Sequence, residues 1–329
     1  MLLSASASPN NSSIAPTQKA AVSYSDSQRS LLHHFAEKFS RYTPSFSAQA
    51  IQDHLRFYQA IQKLLSPVAP HFVEKDIATG IKSPVVPVRV FLHKALARFE
   101  VWLEKIVLLR ASNAPFSLEE VPPLDVLSIL HGYLLAPWTF DEDASFRVPA
   151  LSKLPEFPLG HMKTLIDMDG NFTPSEAQIR LWESATQLPF DIENDHQIPR
   201  VMCPRCDELV AVPWTQSEIP SSVGTGFAEP AFAHVCPSCQ FSIDNNSLCV
   251  KKFVNDLTIA RELNQTFLAG TILGGVGNAQ LSTASAIAAE VVKTLGDPTN
   301  ELGDRLSWNM AEARRRLFED PTSKLMKAK

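Results

Sequence analysis

Four cysteines form two closely similar pairs in the second half of the chain, Cys203-Pro-Arg-Cys206 and Cys236-Pro-Ser-Cys239. Two cysteines separated by two residues can direct both sulfur atoms at one point, and two such pairs supply the four thiolates of a tetrahedral zinc site. The proline in each pair fixes φ and removes a backbone donor, which favours a tight turn. The spacing therefore predicts one zinc ion bound by Cys203, Cys206, Cys236 and Cys239.

Two other interpretations of the cysteines make different demands on the sequence. A thioredoxin-like redox pair places one Cys-x-x-Cys at the start of a helix that follows a strand. The residues after the first pair, from Val210 to Trp214, are instead typical of a strand and a turn. Disulfides would suit a secreted chain, and no feature of this sequence directs secretion. The pattern therefore favours zinc over both interpretations.

Two further residues near the pairs carry groups that can bind metals. His234 could replace one sulfur, but four thiolates already complete a tetrahedral shell, so we expect it to lie outside. Cys249 stands between apolar neighbours and is predicted to be a small buried residue. Because a closed four-sulfur shell leaves no position for a metal-bound water, we expect the zinc to be structural.

Composition places the chain among soluble globular proteins. It has 329 residues, of which 45% are apolar and 20% charged. A net charge of -5 gives no general attraction to nucleic-acid phosphates or anionic lipids. Residues 1–25 are rich in Ser, Ala, Asn and Pro and are predicted to be disordered. No secretory signal and no run of about eighteen apolar residues is present, so we expect a cytoplasmic or nuclear protein.

Helical periodicity dominates the rest of the sequence. We expect a mainly α fold, in which a multi-helix domain (26–197) carries an inserted small β-rich four-cysteine zinc module (198–250). The C-terminal helices (251–329) are expected to pack on the helical domain. The residues that mark the predicted helices are Leu31, Leu32, Phe35 and Phe39; Ile51, Leu55, Tyr58, Ile61 and Leu65, between a Ser47 cap and Pro67; Leu92, Ala95, Leu96, Phe99, Trp102, Leu103, Ile106 and Leu109; Ile179, Trp182 and Leu188; Phe253, Leu257, Ala260, Leu263 and Phe267; and Ala284 to Leu295.

Short polar motifs between these helices have structural explanations. Thr173-Pro174-Ser175-Glu176 is predicted to be a capping box, and Ser83 to Pro87 a rigid connector. The Asp167 to Gly170 stretch begins like a calcium loop but lacks its glycine and its final glutamate, so we expect a polar turn. Gly274 to Gly277 lacks the third glycine and the preceding strand of a dinucleotide loop, so we expect a flexible turn. A last helix is predicted from Asp297 and Pro298, carrying Arg314, Arg315 and Arg316 as a solvated face.

A second distinctive stretch is Pro122-Pro-Leu-Asp-Val126, which leads through His131 to Pro137. The double proline predicts the start of a short apolar helix, and Pro137 predicts its end. Asp125 and His131 are six residues apart and so lie on different faces. We expect His131 to be a core histidine rather than a ligand.

This stretch and the cysteine pairs resemble the fungal family of glycine-rich domain-containing protein-like proteins. The residues that match are Pro122 to Val126, His131, Tyr133, Leu135, Pro137, Phe140, Glu142 and Asp143, then the cysteines, Gly226-Phe227-Ala228, Leu248, Lys252, Phe253 and Asp256. The chain departs from the family at Leu130, Ala136 and Trp138, where the family has Trp, Asn and Arg. The resemblance covers roughly residues 85–270. It implies a helical domain with an inserted zinc module, and it implies no activity.

The family often carries a second histidine-bearing copy of the Leu-Asp-Val helix toward the C-terminus. This sequence ends at Lys329 without that copy, so we expect it to be shortened relative to the family.

The sequence favours a non-catalytic, zinc-stabilised intracellular protein that acts through contacts with a partner protein. We expect the Leu-Asp-Val helix and the zinc module to form the interacting surface. One alternative is an enzyme, because relatives are sometimes labelled 2-oxoglutarate-dependent dioxygenases. Such iron sites need two histidines and a carboxylate, and the first two ligands usually lie close together as His-x-Asp or His-x-Glu. None of the nine histidines here is followed two residues later by an acid. His71, His131 and His161 could still converge.

The other alternative is a zinc-dependent nucleic-acid regulator, which is suggested by the ribbon-like cysteine module and by Arg314, Arg315 and Arg316. We expect neither nucleic acid nor a membrane as a partner.

Overall fold

The computed structural model describes residues 47–67, 73–75, 82–84, 86–110, 114–216, 224–262, 267–272 and 278–319. Four predictions fall outside these residues: the disordered segment 1–25, the helix marked by Leu31 to Phe39, the position of His71, and the turn at Gly274 to Gly277.

Helices account for most of the ordered secondary structure, with 59% helical and 6% strand residues. The predicted mainly helical fold is thereby confirmed. The α-helices are α1 (Ala48–Leu65), α2 (Val86–Lys105), α3 (Leu124–Leu134), α4 (Pro137–Phe146), α5 (Leu159–Leu165), α6 (Glu176–Thr186), α7 (Asn245–Glu262), α8 (Asn278–Leu295), α9 (Asn300–Arg305) and α10 (Met310–Phe318). Short 3-10 turns lie at Val107–Leu109, Leu118–Glu120, Pro149–Lys153 and Ile192–Asn194. None of the described helices combines the length and apolarity needed to cross a bilayer.

Three antiparallel hairpins are present among the described residues. They pair β1 (Val73–Lys75) with β2 (Lys82–Pro84), β3 (Arg200–Met202) with β4 (Leu209–Ala211), and β5 (Ala233–Val235) with β6 (Ser242–Asp244). The last two contain the cysteine pairs, as predicted. The first corrects the rigid connector predicted at Ser83 to Pro87, because Ser83 and Pro84 lie in β2 and Pro87 lies in the first turn of α2. A proline is tolerated in both places, since an edge strand and a first helical turn each leave N–H groups unpaired.

The first helix begins and ends where the sequence predicts. The backbone N–H of Ala50 donates to Ser47 Oγ at 3.0 Å, and the helix ends at Leu65, two residues before Pro67. The predicted apolar face is wrong, however. Ile51, Leu55 and Tyr58 are exposed, and the other face of the helix, with Phe57 and Ala60, is buried. Both faces carry apolar residues, and packing against α3 and α5 selects the one with Phe57.

The largest core lies between α1, α2, α3 and α6. Phe57, Phe99, Trp102, Leu127 and Trp182 are among its fully or almost fully buried residues. Leu92 and Leu96, which were predicted to line the apolar face of α2, are partly exposed, and Leu109 is 78% exposed. The face that α2 buries includes a charged residue, Arg98, which does not belong to the apolar face that the periodicity predicts. Its partner is Asp125 in the first turn of α3.

Two predicted helix boundaries need correction. The capping box before α6 is formed by Ser175 and Gln178, two residues later than predicted: Ser175 Oγ accepts from Gln178 N, and Gln178 Oε1 accepts from Ser175 N. The predicted last helix is two helices, α9 and α10. Ser307 and Trp308 separate them with left-handed φ values of 51° and 50°, which break the helical path.

A second core lies between the C-terminal helices. Leu257, Val291, Leu302, Leu306 and Leu317 are buried there, contributed by α7, α8, α9, α10 and the residue after α9. Glu142 of α4 accepts a hydrogen bond at 2.8 Å from the backbone N–H of Gly270, beyond α7. The C-terminal part of the chain therefore contacts the helical domain.

Candidate metal centre

The four cysteine sulfurs lie close together between two hairpins, β3–β4 and β5–β6. Cys203 Sγ lies 3.6 Å from Cys239 Sγ, and Cys206 Sγ lies 3.7 Å from Cys236 Sγ. All four ligand atoms lie within 4.8 Å of one another. These separations are far longer than the sulfur to sulfur bond of a disulfide, about 2.0 Å. The cysteines are free thiols grouped as metal ligands are grouped.

The two cysteine pairs are held by the same backbone arrangement. In the first, Cys203 N donates to Glu208 O at 2.7 Å and Asp207 N donates to Cys203 O at 3.0 Å. In the second, Cys236 N donates to Phe241 O at 2.9 Å and Gln240 N donates to Cys236 O at 3.0 Å. Each turn therefore directs its two cysteines to the same side of its hairpin. We call each of these two hairpins, together with its turn, a cysteine knuckle.

An offset of 33 residues relates every part of one knuckle to the other. It relates the cysteines, the paired strands, and the two residues after the pairs, Asp207 and Gln240. These two residues have φ values of 61° and 60°, in the left-handed region that side chains other than glycine seldom enter. Equivalent residues of the two knuckles therefore have the same strained backbone conformation, which turns the chain back directly after the second cysteine of each pair.

A small apolar core packs against the buried cysteines. Val201 and Val210 face each other across the first hairpin, and Ile243 is buried in the second. Cys203 and Cys236 are themselves fully buried, whereas Cys206 is exposed. The first cysteine of each pair thus belongs to the core, and the second lies nearer to solvent.

The loop between the hairpins is closed by a buried carboxylate. Glu229 is only 1% exposed and accepts hydrogen bonds from Gln216 N at 3.0 Å and Gly226 N at 2.6 Å. Gly226 passes so close to the preceding chain that an added Cβ would lie 2.4 Å from the Cα of Thr215. Only glycine allows this approach, which gives a physical reason for glycine in the Gly226-Phe227-Ala228 motif.

The cysteine knuckles and the loop between them contact both helical parts of the protein. Phe227 lies 5.0 Å from the ring of His93 on α2, and Phe241 lies 5.3 Å from the ring of Trp308. Lys251 of α7 forms an ion pair with Asp207 at 2.7 Å. The cysteine region therefore packs directly against α2 and the C-terminal helices.

The environments of the thiols are unequal. Backbone N–H groups of Cys239 and Ser238 stabilise the thiolate of Cys236 and lower its pKa to about 7. The pKa of Cys206 is raised to about 12: a hydrogen bond from the backbone of Glu208 lowers it, but burial and the three neighbouring sulfurs outweigh that bond. Burial also raises the pKa of Cys203. A bound cation would stabilise all four sulfurs as thiolates at the same time.

The two other residues considered near the site lie outside the sulfur cluster. His234 is in β5, opposite Ile243. Cys249 was predicted to be buried, and this is wrong, because it is exposed on α7. Val250, next to it, takes the buried position, since consecutive residues of a helix point in different directions.

His131 and His161, two of the histidines proposed for an iron site, have different partners. The Nε2 atom of His161 is 2.8 Å from Phe116 O, whereas the Nε2 atom of His131 is 2.9 Å from Nε2 of His54. Burial, and then the neighbouring His54, lower the pKa of His131. Within the described part of the chain, the four cysteines are the one group of three or more residues arranged to hold a metal ion.

Asp125 and His131 point to different partners, as their spacing predicts. Arg98 Nε donates to Asp125 Oδ2 at 2.7 Å, and the other two guanidinium nitrogens donate to Phe190 O at 2.7 Å and Pro189 O at 2.8 Å. The arginine thus ties α3 to the segment that follows α6. Sequence reasoning missed this pair because nothing in the local pattern of α2 distinguishes Arg98 from its exposed neighbours.

The arginine run lies on α10. Arg315 and Arg316 both donate to Glu312 at 2.8 Å, and Arg314 is exposed. Two of its three charges are thus paired within the helix.

Comparisons with known proteins return no match: no family model, no curated protein and no solved structure is similar to this chain. The resemblance to the glycine-rich domain-containing protein-like family stays a prediction.

Proposed function

We propose that the chain binds one zinc ion through Cys203, Cys206, Cys236 and Cys239, and that it acts as a non-catalytic, zinc-stabilised intracellular protein through contacts with a partner protein. The intracellular location agrees with the free thiols, which a reducing compartment preserves.

The sulfur geometry carries the zinc proposal. Four sulfurs at about 2.3 Å from a central ion form a tetrahedron whose edges are about 3.8 Å. The two closest sulfur pairs are 3.6 and 3.7 Å apart. Four thiolates in a tetrahedron are typical of zinc or of iron bound by sulfur, and the site offers no open position for a substrate or an activated water. A structural role follows from that closure.

The size of the hairpins explains what the ion would do. Each strand of the two knuckles has three residues, and isolated two-stranded hairpins are at best marginally stable. An ion bound by both knuckles cross-links them, and its binding free energy becomes folding free energy. The metal would thereby keep Phe227 and Phe241 in their contacts with the helices.

The surface of the knuckles supports contacts with another protein. Met202 and Leu209 lie opposite each other in the first hairpin and are 49% and 54% exposed. Val235 in the second hairpin is 54% exposed. The Leu-Asp-Val helix, α3, does not contribute in the way the sequence suggested, because Leu124, Val126, Leu127 and Leu130 are buried. We therefore assign the contact surface to the knuckles alone.

Metal analysis with X-ray absorption tests the zinc proposal. We expect one zinc per chain, four sulfur neighbours at about 2.3 Å, and loss of the metal in Cys206→Ser. The matched control is Cys249→Ser, which removes an exposed thiol outside the cluster and should keep full zinc content. Full zinc content in Cys206→Ser, or its loss in Cys249→Ser, would show that the proposed ligands are wrong. Iron bound in place of zinc would show that the proposed metal is wrong.

Affinity purification tests the contact surface separately. The variant Met202→Ser/Leu209→Ser keeps all four cysteines, and Leu135→Ser changes an exposed leucine at the end of α3. We expect partners captured by the wild type to be lost in the double variant and kept in Leu135→Ser. Equal capture by all three proteins would remove the knuckles as the contact surface without affecting the zinc proposal.

A further inference from the structure

Two histidines from distant parts of the chain meet at the surface of the helical domain. His54 is on α1 and His131 is on α3, and their Nε2 atoms are 2.9 Å apart. Both side chains are partly exposed, so water reaches the pair. Each Nε2 atom has the other as its hydrogen-bond partner, without a carboxylate or a backbone carbonyl between them.

Aromatic rings fix the orientation of both imidazoles. Tyr58 stacks on His54 with a centroid distance of 4.7 Å. Phe57 and Phe157 lie 5.3 and 5.8 Å from His131. A donor pair whose rings are already held in place loses little conformational entropy when it binds a ligand. The two rings are therefore held in place with their Nε2 atoms facing each other.

We propose that His54 and His131 form a second metal site, which binds a divalent 3d ion such as Ni²⁺ or Cu²⁺ through both Nε2 atoms. Two nitrogens at about 2.1 Å from an ion and at right angles to each other are about 3.0 Å apart. The observed 2.9 Å matches that separation. Imidazole suits such ions, and the affinity of nitrogen sites rises along the series toward Cu²⁺.

Binding requires one rearrangement of protons. In the metal-free pair, one imidazole donates its Nε2–H to the lone pair of the other. When the ion binds, the donor ring moves its proton to Nδ1, so that both Nε2 atoms present lone pairs and the two rings stay neutral. The ion then replaces the shared proton as the link between α1 and α3.

This site differs from the cysteine cluster in what it can do. No third His, Cys, Asp or Glu of the described residues groups with the two histidines. The other positions around the ion are therefore open to water or to an external ligand with oxygen or nitrogen donors. Open positions are the feature that distinguishes reactive or ligand-binding metal sites from closed structural ones.

Nickel titration of the zinc-loaded, tag-free protein tests the proposal. We expect calorimetry to show one Ni²⁺ bound per chain with zinc retained, and binding about tenfold weaker or more in His54→Ala and in His131→Ala. The matched control is His161→Ala, which removes a partly exposed imidazole whose Nε2 contacts a carbonyl instead. Its affinity should equal that of the wild type. Circular dichroism and zinc content confirm that each variant is folded.

A second measurement needs no variant. In the wild type with ¹⁵N-labelled histidine, paramagnetic Ni²⁺ should broaden the ring signals of His54 and His131 before those of the other histidines. The proposal is overturned if no Ni²⁺ binds at about 1 mM, if the broadening centres on other histidines, or if folded His54→Ala and His131→Ala bind as tightly as the wild type. If the two histidines only form a hydrogen bond with each other, no Ni²⁺ will bind at that concentration.

Discussion

Removing either partner of the buried Arg98–Asp125 ion pair is expected to destabilise the helical domain by about 3 kcal/mol. The two side chains are 1% and 3% exposed and are joined by a hydrogen bond of 2.7 Å. Asp125→Ala leaves a guanidinium without its main counter-charge in the core. Arg98→Met leaves a carboxylate there. An unpaired buried charge is among the costliest single changes in a protein.

The remaining contacts set the magnitude. In Asp125→Ala, Arg98 keeps the carbonyls of Pro189 and Phe190 and the Asp195 carboxylate at 3.7 Å. These contacts place the cost at the lower end of the range of about 3–5 kcal/mol for breaking a buried pair. In Arg98→Met, Asp125 can take up a proton, since burial already raises its pKa more than Arg98 lowers it. Two carbonyls then lose their donor, so the total cost is similar.

The double variant Arg98→Met/Asp125→Leu gives the decisive comparison. It contains no buried charge of this pair, so its cost should be smaller than the sum of the two single costs by about 2 kcal/mol. Burial raises the pKa of Asp125 and the Arg98 guanidinium lowers it, so the two side chains attract each other, as this sign requires. With single costs of about 3 kcal/mol each, the double variant should therefore lose about 4 kcal/mol of stability.

Urea denaturation at saturating zinc, followed by circular dichroism and tryptophan fluorescence, measures the cycle. The matched control is Arg180→Met, which breaks an ion pair with Glu176 whose side chains are 70% and 88% exposed. Its cost should be below about 0.5 kcal/mol. Single costs that add within about 0.5 kcal/mol, or single variants as stable as the control, would refute the reasoning.

Three further changes test the cysteine module. Gly226→Ala should destabilise by about 2 kcal/mol or more in urea denaturation, because its Cβ would lie 2.4 Å from a backbone atom of Thr215. Gly132→Ala, with no atom within 4 Å of the new Cβ, should be neutral or stabilising, and equal effects would contradict the proposed approach. Cys249→Ser should change stability by less than about 0.5 kcal/mol, since Cys249 is exposed. Zinc affinity in a chelator competition should fall about a hundredfold per pH unit between pH 7.5 and 6.5, because the raised pKa values of Cys203 and Cys206 require at least two protons to leave on binding. A slope below tenfold per pH unit would show that these thiols are not the ligands.

The sequence alone determined the features that depend on short-range covalent geometry. Cys-Pro-x-Cys sets the distance between its own two sulfurs, and the repetition of the motif suffices to predict a four-sulfur cluster. Ser47 as a cap, Pro137 as the end of α3 and the mainly helical class follow likewise from local rules about hydrogen bonds and φ. The 33-residue offset between the knuckles was also present in the sequence, and comparing the residues around the two pairs would have revealed it.

Only the tertiary structure decided which faces are buried and which distant side chains meet. α1 has apolar residues on two faces, and contacts with α3 and α5 bury Phe57 and expose Leu55. Periodicity left Arg98 out of the apolar face of α2, yet a carboxylate 27 residues away makes its burial possible. His54 and His131, 77 residues apart, meet only because α1 packs against α3. A local pattern specifies the angle of a side chain around its own helix, but its partner depends on how whole helices pack, which no short window of sequence contains.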